Sequence, residues 1–151
     1  MIKPSNIVSA LTALLRKIDD LVEAMGGDES RIVAYDDIYP QNVNLPHAIH
    51  EMPSPSILVV YQDWGVGADE NGQPINHRLT IYIRPAADSS YSDLTSMFIN
   101  GIPADQPLQL INITVLDDLD PMQIEGRCSR QLDEEGVEYW ELNITFNEKW
   151  G

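Results

Sequence analysis

The chain has 151 residues, the length of one ordinary domain, with nine Lys+Arg against 24 Asp+Glu and a formal net charge of −15. Nucleic-acid affinity comes largely from Lys and Arg neutralising phosphates, so clamping onto DNA is disfavoured, as is binding to an anionic membrane. The single cysteine, Cys128, excludes an intramolecular disulfide framework. No signal peptide or membrane span is read near the N-terminus, which places the chain in the cytoplasm or in something assembled from it. Hydrophobic content of 43% and charged content of 22% are those of a globular chain, expected to form one domain over residues 1–151.

Taken in order, Asn6–Met25 predicts an amphipathic helix. Ile7, Leu11, Leu14, Ile18, Leu21 and Met25 recur every three or four residues and form one stripe. Ser5 or Asn6 can cap its start, and Gly26-Gly27 supplies a left-handed stop. From residue 28 to 55, Pro40, Pro46, Pro53 and Pro55 break up regular structure. Apart from a short strand at Arg31–Tyr35, this stretch is expected to be a long loop or an extended arm.

Ile57–Gln62 is a continuous apolar run and predicts a buried strand. His77–Arg84 alternates, with Leu79, Ile81 and Ile83 on one face and Thr80, Tyr82 and Arg84 on the other. Together they predict a β-hairpin with a long tip at Asp63–Pro74, where Asn71-Gly72 is a strong turn signal. Ser92–Ile99 is compatible with a short helix, and Leu108–Leu116 reads as a strand. Glu125–Leu132 and Val137–Asn147 flank Asp133-Glu134-Glu135-Gly136 and predict a closing hairpin, with Gly136 in the left-handed position. In its second arm Trp140, Leu142, Ile144 and Phe146 alternate with Glu141, Asn143, Thr145 and Asn147, a strand buried on one side. The order predicts an α+β domain: one mixed, mostly antiparallel sheet, with an N-terminal helix and a short second helix packed on one face.

Candidate chemistry is sparse. His47 and His50 stand three apart beside Glu51, but Pro46 and Pro53 bracket them and no third ligand is evident. A small metal-dependent hydrolase built on this segment is the alternative from the enzyme class. Asp36-Asp37 and Asp117-Asp118-x-Asp120 pair carboxylates, yet neighbours on a strand face opposite ways, and the EF-hand spacing is absent. Cys128 stands beside Arg127, with Arg130 two residues on, but reads as a strand cysteine. Gly65-Val66-Gly67 follows a strand without the third glycine of a dinucleotide loop, and Asp69-Glu70 would repel a pyrophosphate. The expectation is a protein that is not an enzyme and has no metal or cofactor. Interaction features remain: Trp64, Gly65, Gly67, Asn71 and Gly72 of the hairpin tip, and Trp150.

Three segments carry a family resemblance: Ser54-Pro55-Ser56-Ile57-Leu58-Val59-Val60-Tyr61, then Asn76-His77-Arg78-Leu79-Thr80-Ile81-Tyr82-Ile83, and the closing Tyr139-Trp140-Glu141-Leu142-Asn143-Ile144. With the N-terminal helix and the proline-broken segment, their order resembles the tail-terminator and neck (head–tail joining) proteins of tailed bacteriophages. It rests on element order, since that family has no diagnostic short motif. The resemblance implies a virion protein assembled in the host cytoplasm. It would form a ring, expected to be a hexamer, that caps the tail tube and meets tail-tube and head–tail connector proteins. A head-completion or sheath-associated protein is the neighbouring alternative. DNA would pass through such a ring without being held, which gives the acidity a purpose beyond solubility. Asp117, Asp118, Asp120, Asp133, Glu134 and Glu135 are the expected lumen acids.

Overall fold

The closing strand alternates as its sequence requires. Trp140, Leu142, Ile144 and Phe146 are buried, while Glu141, Asn143, Thr145 and Asn147 are half-buried. The computed structural model describes residues 1–38, 44–66, 75–88, 115–120, 122–125 and 128–149. The expected helix at Ser92–Ile99 lies outside them, as do residues 108–114 of the expected strand; Val115 and Leu116 lie in a bend.

The described elements are α1 (Pro4–Arg16), α2 (Asp19–Ala24), a 3-10 turn at Glu29–Arg31, β1 (Ile32–Ala34), α3 (Tyr35–Ile38), α4 (Leu45–His50), β2 (Ser56–Val66), β3 (Ile75–Arg84), β4 (Gln123–Ile124), β5 (Ser129–Leu132) and β6 (Glu138–Asn147). Among the described residues, six strands form one sheet in the order β1-β2-β3-β6-β4, with β5 also on β6. Only β1–β2 is parallel; the other pairings are antiparallel. The fold is α+β with a single mixed sheet, as the element order predicts.

The N-terminal helix is two helices. Lys3 stands at the N-cap without a side-chain hydrogen bond, and Pro4 opens α1 where its missing N–H is not needed. At Ile18 the backbone becomes extended, and Asp19 and Asp20 open α2, where the free amides favour acids. The break brings Arg16 beside β1, where its Nε donates to the Ile32 carbonyl at 2.8 Å. Gly26 and Gly27 take φ of 78° and 76° and end α2 as expected. The apolar side of α1 and α2 packs Ile7, Leu11, Leu15, Leu21 and Met25 against Ile57, Val59, Leu79, Ile81, Ile83, Trp140, Leu142, Ile144 and Phe146 of the sheet.

The proline-rich segment is not an extended arm where it is described. Parallel strands need a crossover of a dozen or more residues, and the stretch between Ala34 and Ser56 provides it. Pro46 falls in the first turn of α4, the one helical place proline fits. Ile49 and Met52 pack on Leu58, Val60 and Tyr82, side chains on the opposite face from the main core. This short helix, which the sequence did not announce, gives the sheet a second covered face.

The remaining differences are local. Pairing of β2 with β3 continues through a bulge between Tyr61 and Asp63 to Val66↔Ile75, so the expected tip at Asp63–Pro74 begins as strand. Of the arm expected at Glu125–Leu132, the described strand is β5 (Ser129–Leu132), and β4 (Gln123–Ile124), which also pairs with β6, lies before it. Gly136, at φ 81°, closes the β5–β6 turn as predicted.

Ile144→Asp buries an unpaired charge and is expected to cost about 3 kcal/mol or more, whereas Thr145→Asp, on the half-open face, should cost under about 1 kcal/mol. Urea unfolding of the two variants checks this, and equal losses would contradict the one-sided register.

Candidate functional site

The hairpin arm carries the most conspicuous surface. Trp64 and Val66, two residues apart and therefore on one side of β2, are 52% and 51% exposed. Val66 pairs with Ile75, whose carbonyl accepts the Glu148 amide at 2.8 Å. The Glu148 carboxylate in turn accepts the Ile2 amide at 3.2 Å, next to Met1, another exposed hydrophobic. The arm, the N-terminus and the end of β6 thus share one end of the molecule. Gly65 is in β2 opposite Asn76; Gly67, Asn71, Gly72 and Trp150 lie outside the described residues.

Beneath this surface His77 is fully buried. Its Nδ1 is 2.6 Å from the Tyr61 hydroxyl and its Nε2 is 2.8 Å from Glu148 Oε2. One tautomer meets both bonds: the hydroxyl donates to Nδ1, and Nε2–H donates to the carboxylate. Burial first, then Asp63 and Glu148, pushes the Tyr61 hydroxyl up to about 12, so it remains a donor across the neutral range. This network anchors the arm and the N-terminus to the same carboxylate.

The expected lumen acids do not form one surface. Asp117 and Asp118 are exposed beside the C-terminal end of β6, where the Asp118 carbonyl accepts the Lys149 amide at 2.9 Å. Asp120 is half-buried, its amide donating to the Asn147 carbonyl at 2.8 Å. Asp133, Glu134 and Glu135 lie at the other end, before Glu138, a full strand of roughly 30 Å away. Nor is the turn without base. His50 Nδ1 lies 2.6 Å from Asp133 Oδ2, and its Nε2 lies 3.3 Å from Glu135 Oε2. Asp133 Oδ1 also accepts the amides of Glu135 and Val137, both at 2.9 Å. Hydrogen bonding from His50 first, then from Val137, holds the Asp133 carboxyl below its usual range.

Around His50 a cleft of about 640 Å³ opens between α4 and the β5–β6 hairpin. Tyr82 and Tyr139 lie in it with ring centres 6.1 Å apart, and Leu132 is 69% exposed at its rim. Below, Arg84 is buried and its Nη2 donates to the Ile49 carbonyl at 2.6 Å, satisfying the end of α4. The segment suggested for a metal does not converge: His47 pairs with Glu51 at 3.1 Å and His50 turns to Asp133. Among the described residues, no group of three or more His, Cys, Asp or Glu side chains is placed to hold a metal ion. Cys128 is half-buried just before β5. No helix among the described residues is long and apolar enough to cross a membrane.

The sequence reading missed the His77 network and the pairing of His50 with Asp133. The first had a signal, a histidine on the apolar face of an alternating strand; the second, across 83 positions, had none. No protein-family model matches the chain, and no curated protein matches it in sequence.

His77→Leu takes from the Tyr61 hydroxyl and from Glu148 Oε2 the partner they share, and is expected to cost about 2–3 kcal/mol. Adding Glu148→Leu should recover part of that loss, because the stranded carboxylate goes with it; a double-mutant cycle by denaturant unfolding measures the coupling.

Proposed function

We propose that the chain is a virion structural protein of the tail-terminator or neck type, a subunit that assembles with copies of itself into a six-membered ring at the end of the tail tube. The observation that carries this reading is the arm: Trp64 and Val66 stand half exposed, side by side, on a molecule otherwise kept soluble by a charge of −15. Aromatic side chains of this kind anchor protein interfaces. An arm held at its base by the buried His77 network presents them without a large ordering cost. A ring requires a heterologous contact, in which one surface meets a different surface of the next copy, and an arm suits that contact better than a flat self-complementary face does. The element order, which resembles that of tail-terminator and neck proteins, supports the particular role, with tail-tube and connector proteins as partners and DNA passing through.

Because the two acidic groups lie at opposite ends of β6, the DNA path in this reading is lined by one of them. Asp117 and Asp118, exposed and close to the arm, are the better candidates than the clasped Asp133.

Native mass spectrometry and sedimentation of the purified chain, alone and with tail-tube subunits, should give a closed oligomer. Trp64→Glu together with Val66→Lys should leave a folded monomer, with thermal stability within about 0.5 kcal/mol of the parent. A compact monomer at every concentration, with or without tube subunits, would sink the assembly reading.

A further inference from the structure

Both ring nitrogens of His50 point at carboxylates: Nδ1 at Asp133 and Nε2 at Glu135, at 2.6 and 3.3 Å. An imidazole with one proton donates through one nitrogen and presents a lone pair at the other, and a lone pair facing a carboxylate is repelled. Nδ1–H can donate to Asp133 in either state of charge, but only the imidazolium strengthens that bond with its charge and is also attracted to Glu135, whose carboxylate lies 3.3 Å from Nε2 as an ion pair. The ring belongs to α4 and both carboxylates to the β5–β6 turn, so the pair of contacts spans the mouth of the Tyr82–Tyr139 cleft.

We infer that His50 is a proton-operated latch: protonated, it clamps α4 to the β5–β6 turn, and when it loses its proton the two elements separate and the cleft widens. The groups around it are mostly acidic, and Asp133 and Glu135 favour the charged ring. The turn contributes Asp133, Glu134 and Glu135, and β6 contributes Glu141 and the phenol of Tyr139. From β3 come the phenol of Tyr82 and the opposing charge of Arg84, while on its own helix His47 is occupied with Glu51. The hydrogen bond with Asp133 is the largest influence and raises the His50 pKa; burial opposes it and the Glu135 charge adds to it. Asp133 is correspondingly held below its usual value.

The signs then fix the window. A histidine whose folded pKa is raised gives stability that is fully present below its unfolded value of 6.5 and is lost as pH rises through the folded value. An aspartate whose folded pKa is lowered gives stability present above its unfolded value of 3.8 and lost as pH falls through the folded one. The latch is closed in mildly acidic solution and opens on the alkaline side. Arg84 remains bonded to the α4 carbonyls throughout and Ile49 remains packed, so opening is a local parting of the turn from α4 and not unfolding of the domain.

Hydrogen exchange at about pH 5.5 and about pH 8.5, corrected for intrinsic rates, tests the latch alongside an NMR titration of the His50 ring. Protection of amides in 132–137 should fall by about tenfold across the titration while amides of α4, β3 and β6 keep theirs. His50→Gln should show the lower protection at both pH values, and Glu135→Gln, changing only an exposed side chain, should move the His50 titration down. Unchanged protection through the titration overturns the proposal, as does a His50 pKa at or below the ordinary value.

Discussion

β3 lies between β2 and β6 and is buried along most of its length on both faces, and the rest of the fold answers that constraint. Leu79, Ile81 and Ile83 require an apolar layer on one side, which α1 and α2 provide. Thr80, Tyr82 and Arg84 lie on the other side, equally shielded, and each needs a polar partner there. Thr80 receives a bond from Gln62 and donates to Asn143, Tyr82 accepts from Gln62, and Arg84 reaches the carbonyls that end α4. Arg84 Nε finds no acceptor among the described residues. The crossover helix is therefore more than a connection, since it closes the second face of the central strand and accepts its buried cation.

The same constraint separates what could be read in the sequence from what could not. The faces of β6 were legible because burying one side of a strand forces strict alternation, and Trp140 through Asn147 show it without exception. The stops at Gly26-Gly27 and Gly136 were legible because a left-handed backbone favours glycine. His77–Arg84 alternates as read, but Thr80, Tyr82 and Arg84 are buried as well, by partners remote in the chain, and a periodic pattern cannot report them. The break at Ile18 was hidden for a related reason. Continuing the helix would have kept the apolar stripe intact, so local periodicity is silent, and the bend follows from docking Arg16 on β1.

At the candidate sites legibility was lower still. Trp64 was singled out by residue type, and it is half exposed. The acids of 117–120 and 133–135 were grouped by charge density alone, and charge density along a chain contains no direction in space. Strand β6 places the two groups at its opposite ends and gives them different tasks: Asp133 organises its own turn and holds His50, whereas Asp117 and Asp118 stay exposed near Lys149. The proline-rich segment was read as reach because proline disfavours regular structure. Its actual role follows from chain geometry, since a parallel β1–β2 pair cannot be made without a crossover of that length.

The two ends of the molecule also differ in how they are held. At the arm, a hydrogen-bonded network shielded from water fixes Tyr61, His77 and Glu148 in one arrangement, so the apolar surface above it is presented rigidly. At the turn, His50 and Glu135 are open enough for water and salt to compete, and the contact depends on the proton of the His50 ring, whose pKa is raised chiefly by the hydrogen bond with Asp133. Rigidity suits a contact that must form once and persist. A titratable clasp suits a contact that has to yield, for instance when a neighbouring subunit or partner enters the Tyr82–Tyr139 cleft. The placement of the buried network and the exposed clasp at opposite ends of a single strand gives the fold a fixed end and an adjustable one.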